Sequence, residues 1–338
     1  MLKFPAWPLN FWGIYLHSYP CSPLITIQKQ GLIMKIPAPV YLLLLLLLLL
    51  LPGKALVAGD NTLTPLRESI LAGGYTRTYA LYRPTGWDKL KNMPLVLLLH
   101  GAGGDAEKME QLTGFIAIAG REKFILVYPE GMNQQWNDGR GRNEEINDVG
   151  FIRTLIDFLV SEYKIDSDKV YVGGMSNGGF MTMRLACELS DKIAAVAAVA
   201  ATVDSVVDAG CQTVKPMPVM LVTGNKDKLV PVTGGVVSRL PKSTLLSHHA
   251  IVEKWAIRDG CNLQPTVTSL PELKHDATTV TKTVYSGGKN NTEVISYVIG
   301  NGGHTWPGGY QYLPTILVGK TTQDLNASEV IWEFFKRH

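Results

Sequence analysis

The spacing of apolar and polar positions changes several times along the chain. Residues 75–82 alternate and are rich in β-formers, which predicts a strand near a sheet edge, ended by Pro84. Residues 94–100 are continuously apolar up to His100. Such a run suits a strand covered on both faces, as in a parallel sheet flanked by helices. A helical stretch at 107–119, an apolar strand at 124–128 and a long polar loop at 129–147 follow. Over 148–163, Phe151, Leu155, Leu159 and Tyr163 fall on one helical face. A short strand at 170–172 leads into a helix at 180–189, and further short strands are read at 194–200 and 218–222. The pattern closes with a helix at 245–259 ended by Gly260, strands at 280–285 and 294–299, and a helix at 327–335 whose Asn326 and Glu329 are spaced as a capping box. Strands alternating with helices predict an α/β fold with a mostly parallel, doubly wound sheet and helices on both faces.

One stretch carries chemistry on its face. Val170 to Val172 drives into Gly174-Met175-Ser176-Asn177-Gly178, and a helix-forming segment follows. A serine at the apex of a strand–turn–helix is held in a strained conformation with its hydroxyl projecting outward. Residues two before and two after it come so close that a Cβ would clash, and both are glycine here. The alternative is an ordinary glycine-rich turn; the apolar strand before and the helix after favour the nucleophile elbow.

The N-terminus reads differently from the rest. No acidic residue precedes Asp60, residues 42–51 are an unbroken leucine run, Lys35 precedes it and Gly53, Ala55 and Ala58 follow. That order predicts a secretory signal peptide cut after Ala55 or Ala58, with an apolar core too short for a comfortable membrane span. Met34 begins a complete signal peptide by itself, so residues 1–33 are read as an over-extended start, and 1–58 as a leader ahead of a single domain at 59–338, with an uncleaved anchor as the alternative. The leader's charges are Lys3, Lys29, Lys35 and Lys54; without them the formal charge falls from +3 to about −1, and no nucleic-acid partner is implied. Export permits disulfides. Cys187 lies in an apolar helical run and reads as a buried small hydrophobe, leaving Cys211 and Cys261, each beside a glycine turn, as the expected pair.

A serine needs a base, and the base a carboxylate; in this architecture the acid and the histidine follow the serine, each on a loop at the carboxyl end of a strand. The strand at 218–222 runs into a turn carrying Asp227, the expected acid, with Asp204 and Asp208 as competitors. The strand at 294–299 runs into a loop where His304 stands among five glycines, the expected base. His248 and His249 lie on a predicted helix, His338 is terminal, and His275 sits in a polar segment. For the oxyanion, the N–H of Asn177 at the helix start and that of Ala102 in His100-Gly-Ala-Gly-Gly104 are the expected donors, with Gly103 as the alternative to Ala102. His100 is read as shaping that loop.

His100-Gly-Ala-Gly-Gly104, Trp136-Asn-Asp-Gly-Arg140, Asp148-Val-Gly-Phe151, Gly174-Met-Ser-Asn-Gly-Gly179, Gly303-His-Thr-Trp-Pro-Gly308 and the closing Ile331-Trp-Glu-Phe-Phe335 resemble the secreted polyhydroxybutyrate depolymerase and feruloyl esterase family of α/β-hydrolases. The resemblance runs from about Gly74 to the last residue. It implies an α/β-hydrolase fold and a serine esterase with Ser176, Asp227 and His304 as the triad, no cofactor and no metal. Two departures are visible: Asn147 stands where the family often has an acid, and the turn before Asp227 reads Gly-Asn-Lys where His-Gly-Thr is common. No linker or polymer-binding domain follows the last helix, so soluble esters or short oligomers are expected as substrates. Trp136 and Trp306 are expected to line an acyl pocket, with loop packing as the alternative for each.

The expectation is an exported carboxylic-ester hydrolase acting through an acyl-enzyme on hydroxyalkanoate esters or oligomers. Feruloyl or acetyl esters of plant polysaccharide are the alternative substrates, and a non-catalytic binding module on a hydrolase scaffold is the alternative of another class.

Overall fold

The computed structural model describes residues 65–338 apart from Arg142, Ser238 and Arg239, and two short antiparallel strands near the N-terminus, β1 (Ile25–Lys29) and β2 (Leu32–Ile36). The leucine run and the expected cleavage positions lie outside the described residues. Thr62–His338 forms one compact unit. Its elements in order are β3 (Leu66–Ala72), β4 (Tyr75–Tyr82), β5 (Met93–Leu99), α1 (Ala106–Thr113), α2 (Phe115–Glu122), β6 (Ile125–Pro129), α3 (Asp148–Tyr163), β7 (Ile165–Met175), α4 (Asn177–Glu188), β8 (Ala195–Val199), α5 (Ser205–Ala209), β9 (Val219–Gly224), β10 (Gly235–Val237), β11 (Leu240–Leu245), α6 (His248–Asp259), β12 (Thr266–Ser269), β13 (Thr279–Tyr285), β14 (Val294–Gly300), α7 (Thr315–Val318) and α8 (Ala327–Phe335).

One sheet organises this unit, in the order β12-β13-β14-β9-β8-β7-β5-β6-β4-β3. The six strands from β14 to β6 are parallel, and antiparallel pairs flank them at each edge. The fold is the α/β-hydrolase fold. Alternation within a doubly covered strand divides the core into two layers. Leu95, Leu97 and Leu99 of β5 join the side chains of α3, α4 and α6 on one face. Val96 and Leu98 join those of α1, α2 and α8 on the other. The continuous apolar run thus serves both faces at once, as parallel strands require.

The helices begin where side-chain oxygens can replace missing acceptors. Asp105, Asn147, Ser247 and Asn326 each accept a backbone N–H of the first turn they precede. At Asn326 only half of the expected box forms, because the Glu329 carboxylate pairs with Arg121 instead. The helix expected over 107–119 is two helices, broken at Gly114, whose φ of 60° is a left-handed cap for α1. The edge strands β3 and β12 and the hairpin β10–β11 are additional to the predicted elements. Among the described residues, no helix is long and apolar enough to cross a membrane.

The cysteine expectation is corrected. Cys187 bonds to Cys211 across 24 residues, with Cα atoms 5.0 Å apart, and Cys261 is a buried free thiol. After α5 the chain runs back past the end of α4, where Val214 N–H donates to Ser190 Oγ; this return path brings Cys211 to the last turn of α4. Closing a loop of that length stabilises the fold by about 3 kcal/mol.

Candidate active site

The site is built at the carboxyl edge of the parallel strands. β7 ends at Met175, and Ser176 takes φ 54° and ψ −124°, a strained conformation for a residue with a side chain. Its N–H donates to Val199 O of the neighbouring strand (2.9 Å), and its carbonyl accepts Phe180 N–H, the first bond of α4. A Cβ at Gly174 would strike the Gly178 carbonyl, and one at Gly178 would strike the carbonyls of Leu99 and His100. The glycines at both places are therefore demanded by backbone approaching backbone.

Two strands away, β9 and β14 are parallel neighbours, so the loops that follow them are adjacent. Lys226 N–H donates to Gly302 O, and Asn301 N–H donates to Asn225 Oδ1, stitching the loops together. Asn225 belongs to the turn that departs from the family pattern. His304 Nδ1 lies 2.7 Å from Asp227 Oδ2, both side chains buried. The other carboxylate oxygen of Asp227 accepts Leu229 N–H and Val230 N–H, each at 2.8 Å. The carboxylate is thereby fixed with one oxygen left for the imidazole. His304 is held in turn by its N–H on Val318 O (2.6 Å) and by Tyr312, whose hydroxyl donates to His304 O (2.9 Å). Burial and the nearby Asp227 charge push the Tyr312 hydroxyl up to about 12, so it remains a donor at neutral pH.

The competing residues have other partners. Asp204 caps α5 and accepts from Ser243, and Asp208 pairs with Lys254 and Arg258. His248 is buried against Ser296, where burial lowers its pKa to about 4. His249 lies beside Glu253 and His338 beside Glu293, and His275 is exposed on its loop.

Residues 100–104 form the turn facing the elbow; an added Cβ on Gly101 would come 3.4 Å from Ser176 Cβ. Gly103 N–H is engaged by Gln134 O (2.9 Å) and Gly104 N–H by Gly101 O. Among the described residues, the N–H groups of Ala102 and Asn177 make no such bond. His100 is buried, with Nε2 accepting Gly131 N–H at 3.0 Å and Nδ1 at 2.8 Å from Gly101 O. A nitrogen that accepts carries no proton, so Nδ1 holds the hydrogen and the ring is neutral. Burial lowers its pKa and reinforces that state.

Both tryptophans, expected at an acyl pocket, are buried. Trp136 is 0% exposed and Trp306 is 1% exposed. Trp306 packs in the core layer of α1 and α8, its Nε1–H on Ser328 Oγ (3.0 Å). Trp136 sits beneath the 100–104 turn, with Nε1–H on His100 O (2.9 Å). Residue type suggested a wall; in both, burial goes with an indole N–H that is bonded within the protein. The motif around Trp136 holds residues that the sequence did not assign. Asn177 Nδ2 donates to Asp138 Oδ2 (2.6 Å), and Arg140 pairs with the same carboxylate and lies 3.5 Å over the Phe180 ring. Arg77 pairs with Asp148 in a bond that is buried on both sides.

The family model described as esterase PHB depolymerase matches residues 77–243. NocK of Nocardia uniformis subsp. tsuyamanensis, which carries an esterase name, is 32% identical over 285 residues, covering 80% of this chain and 82% of its own length. Feruloyl esterase B of Piromyces equi is 29% identical over 230 residues, 65% of this chain and 41% of that protein. Poly(3-hydroxyalkanoate) depolymerase C of Paucimonas lemoignei is 33% identical over 120 residues, 32% of this chain and 28% of its own. Among solved structures, the acetyl xylan esterase from Aspergillus awamori is similar with a TM-score of 0.49 and 16% identity, over 71% of this chain and 94% of that one.

Proposed function

The chain belongs to the polyhydroxybutyrate depolymerase family of esterases and is a carboxylic-ester hydrolase, and we propose that it works through an acyl-enzyme formed on Ser176. The Ser176 hydroxyl attacks the ester carbonyl carbon while His304 takes its proton through Nε2. Asp227 holds the Nδ1–H tautomer and stabilises the imidazolium. The charge that collects on the carbonyl oxygen is received by the N–H groups of Ala102 and Asn177, the latter at the start of α4, where the helix dipole adds to it. Collapse breaks the bond to the alcohol oxygen, which takes the proton from His304. Water then attacks the acyl-serine by the same route and restores the hydroxyl.

The observation that carries this reading is the 2.7 Å bond between His304 Nδ1 and Asp227 Oδ2, on loops that follow adjacent parallel strands. Ser176→Ala is expected to abolish hydrolysis of a p-nitrophenyl ester and labelling by a fluorophosphonate. Turnover like that of the unaltered protein would overturn the mechanism, and an unlabelled Ser176 in the unaltered protein would favour a binding module.

For the substrate, the margin beside His304 supports aliphatic hydroxyalkanoate esters or short oligomers. Tyr310, Leu313, Ile316 and Leu317 are exposed on the segment after the histidine, and Leu229 on the loop of Asp227. Lys228 Nζ bonds Ile316 O (3.1 Å), joining the two loops into one mostly aliphatic ledge. Such a ledge suits methylene-rich chains, whereas sugars favour aromatic faces with hydrogen-bonding neighbours. The likeness to feruloyl esterase B supports the second reading, an aromatic ester of polysaccharide. Comparing short p-nitrophenyl esters, hydroxybutyrate oligomers and methyl ferulate separates the two: preference for ferulate would overturn the first. Export, with the leader removed near residue 58, is part of the same proposal and rests on the charge, leucine-run and small-residue order of residues 35–58. N-terminal sequencing of the protein from culture medium tests it.

A further inference from the structure

The two N–H groups assigned to the oxyanion belong to segments far apart in the chain, yet both lean on the same loop. Gly131 N–H donates to His100 Nε2 (3.0 Å), Gly103 N–H donates to Gln134 O (2.9 Å), and Trp136 Nε1–H donates to His100 O (2.9 Å). Those three bonds hold the turn that carries Ala102. On the other side, Trp136 N–H donates to Asn177 Oδ1 (2.8 Å), and Asn177 Nδ2 donates to Trp136 O (3.1 Å) and to Asp138 Oδ2 (2.6 Å). The Asn177 amide is 3% exposed, and both of its N–H bonds are used. Trp136 therefore grips one donor segment with its indole and the other with its backbone.

The loop is itself anchored to rigid elements. Arg184 of α4 donates to Asn137 O (2.8 Å), Asn137 N–H donates to Asp148 Oδ2 (2.7 Å), and Asp148 is paired with the buried Arg77 of β4. Arg140 locks Asp138 from the far side while resting on Phe180. A displaced donor matters because oxyanion stabilisation depends on donors fixed at hydrogen-bond distance from where the charge will form.

We propose that Trp136 is a positioning residue that sets the separation of the Ala102 and Asn177 N–H donors, with the Asn177 side chain as its counterpart. The proposal rests on the acyl-enzyme reading and adds to it what holds the two donors in place. Trp136→Phe removes the indole N–H and leaves a ring to fill the space. Asn177→Ala removes the side-chain grip and leaves the backbone N–H itself in place, on a residue that favours helix.

Both variants are compared with the unaltered protein after titrating reactive Ser176 with a fluorophosphonate, so that rates refer to intact sites. Each variant is expected to lose about tenfold or more in kcat with KM little changed, less than the hundredfold or greater loss from deleting a donor outright. Affinity for a trifluoromethyl ketone, whose adduct places an oxyanion in the site, is expected to weaken by the same factor as kcat/KM. A structural role alone would lower Tm and the count of titratable sites and leave kcat per site and ketone affinity unmoved; that result overturns the proposal. Should Trp136→Phe fail to fold, Asn177→Ala decides by the same two measurements. Failure of Ser176 to label in the unaltered protein would overturn the acyl-enzyme reading and this inference with it. Normal labelling with unchanged variants would overturn the inference alone.

Discussion

The two flanks of the site are held by different means. On the elbow flank, side chains do the holding: Asn177, Trp136, Asp138, Arg140 and His100 are tied through short bonds, and the Arg77–Asp148 pair beyond them is buried on both sides. On the acid–base flank the loops are stitched largely by backbone, through Lys226 to Gly302 and His304 to Val318, and their outer margin exposes aliphatic side chains. On the proposed acyl-enzyme mechanism, the difference separates two tasks. Charge stabilisation needs donors that do not yield, and buried polar networks provide that when every partner is satisfied. Accommodating an acyl chain needs apolar surface that can vary without disturbing the triad.

The contrast can be broken most severely at the acid. Asp227→Asn keeps the shape and the bonds from Leu229 and Val230 but favours the wrong imidazole tautomer, and kcat is expected to fall by about 10⁴-fold, measured per titrated site. On the elbow flank, Arg77→Ala leaves Asp148 as a buried unpaired charge; a loss of about 3–5 kcal/mol in stability is expected by denaturant unfolding, and a loss under 1 kcal/mol would show the pair to be dispensable. At the ledge, replacing Ile316 and Leu317 by Ser should leave Tm and acetate-ester kcat in place and raise KM for a longer acyl ester by about tenfold, equivalent to roughly 1–1.5 kcal/mol of apolar contact. Equal KM for both variants and esters would detach the ledge from substrate binding.

The smallest effect serves as a control away from both flanks. Asp259 is buried, accepts Met217 N–H, and burial raises its pKa from 3.8 to about 6. A raised carboxyl pKa means that the folded state binds the proton more tightly. The cost is therefore absent below about pH 4, grows as pH rises towards 6 and is complete above it. Asp259→Asn is expected to stabilise the protein by about 1 kcal/mol at pH 7, after allowing for an unpaired amide N–H, and to show no gain near pH 4. Its kcat should not change. Unfolding at the two pH values checks the sign.

What the sequence discloses depends on whether a residue's role is local. Ser176, Asp227 and His304 could be placed on the elbow and strand-end loops because each follows an apolar strand and is surrounded by turn residues, and both are features of neighbouring positions. The paired glycines at 174 and 178 were legible for the same reason. Trp136 and Trp306 were not, because an aromatic side chain near a site is the same in sequence whether it faces the cleft or the core. The Cys187–Cys211 bond depended on the path of the chain after α5, which no periodicity records. Arg77 and Asp148 are 71 residues apart, and only the packing of β4 against α3 makes a charge pair of them. Gly114 splits a helix that its apolar pattern would have continued, since the pattern carries no mark of a left-handed φ.

The collision waiting at Gly178 bears on how this protein can change over generations. A methyl group there would push against the carbonyls of Leu99, the last residue of β5, and His100, the first of the turn that follows it. The proposed nucleophile is sterically freer, because a cysteine at 176 would occupy nearly the same space as the serine. A lineage drifting from this chain could thus exchange oxygen for sulfur at 176 without a steric cost, whereas the blank position two residues later admits no side chain unless the backbone moves.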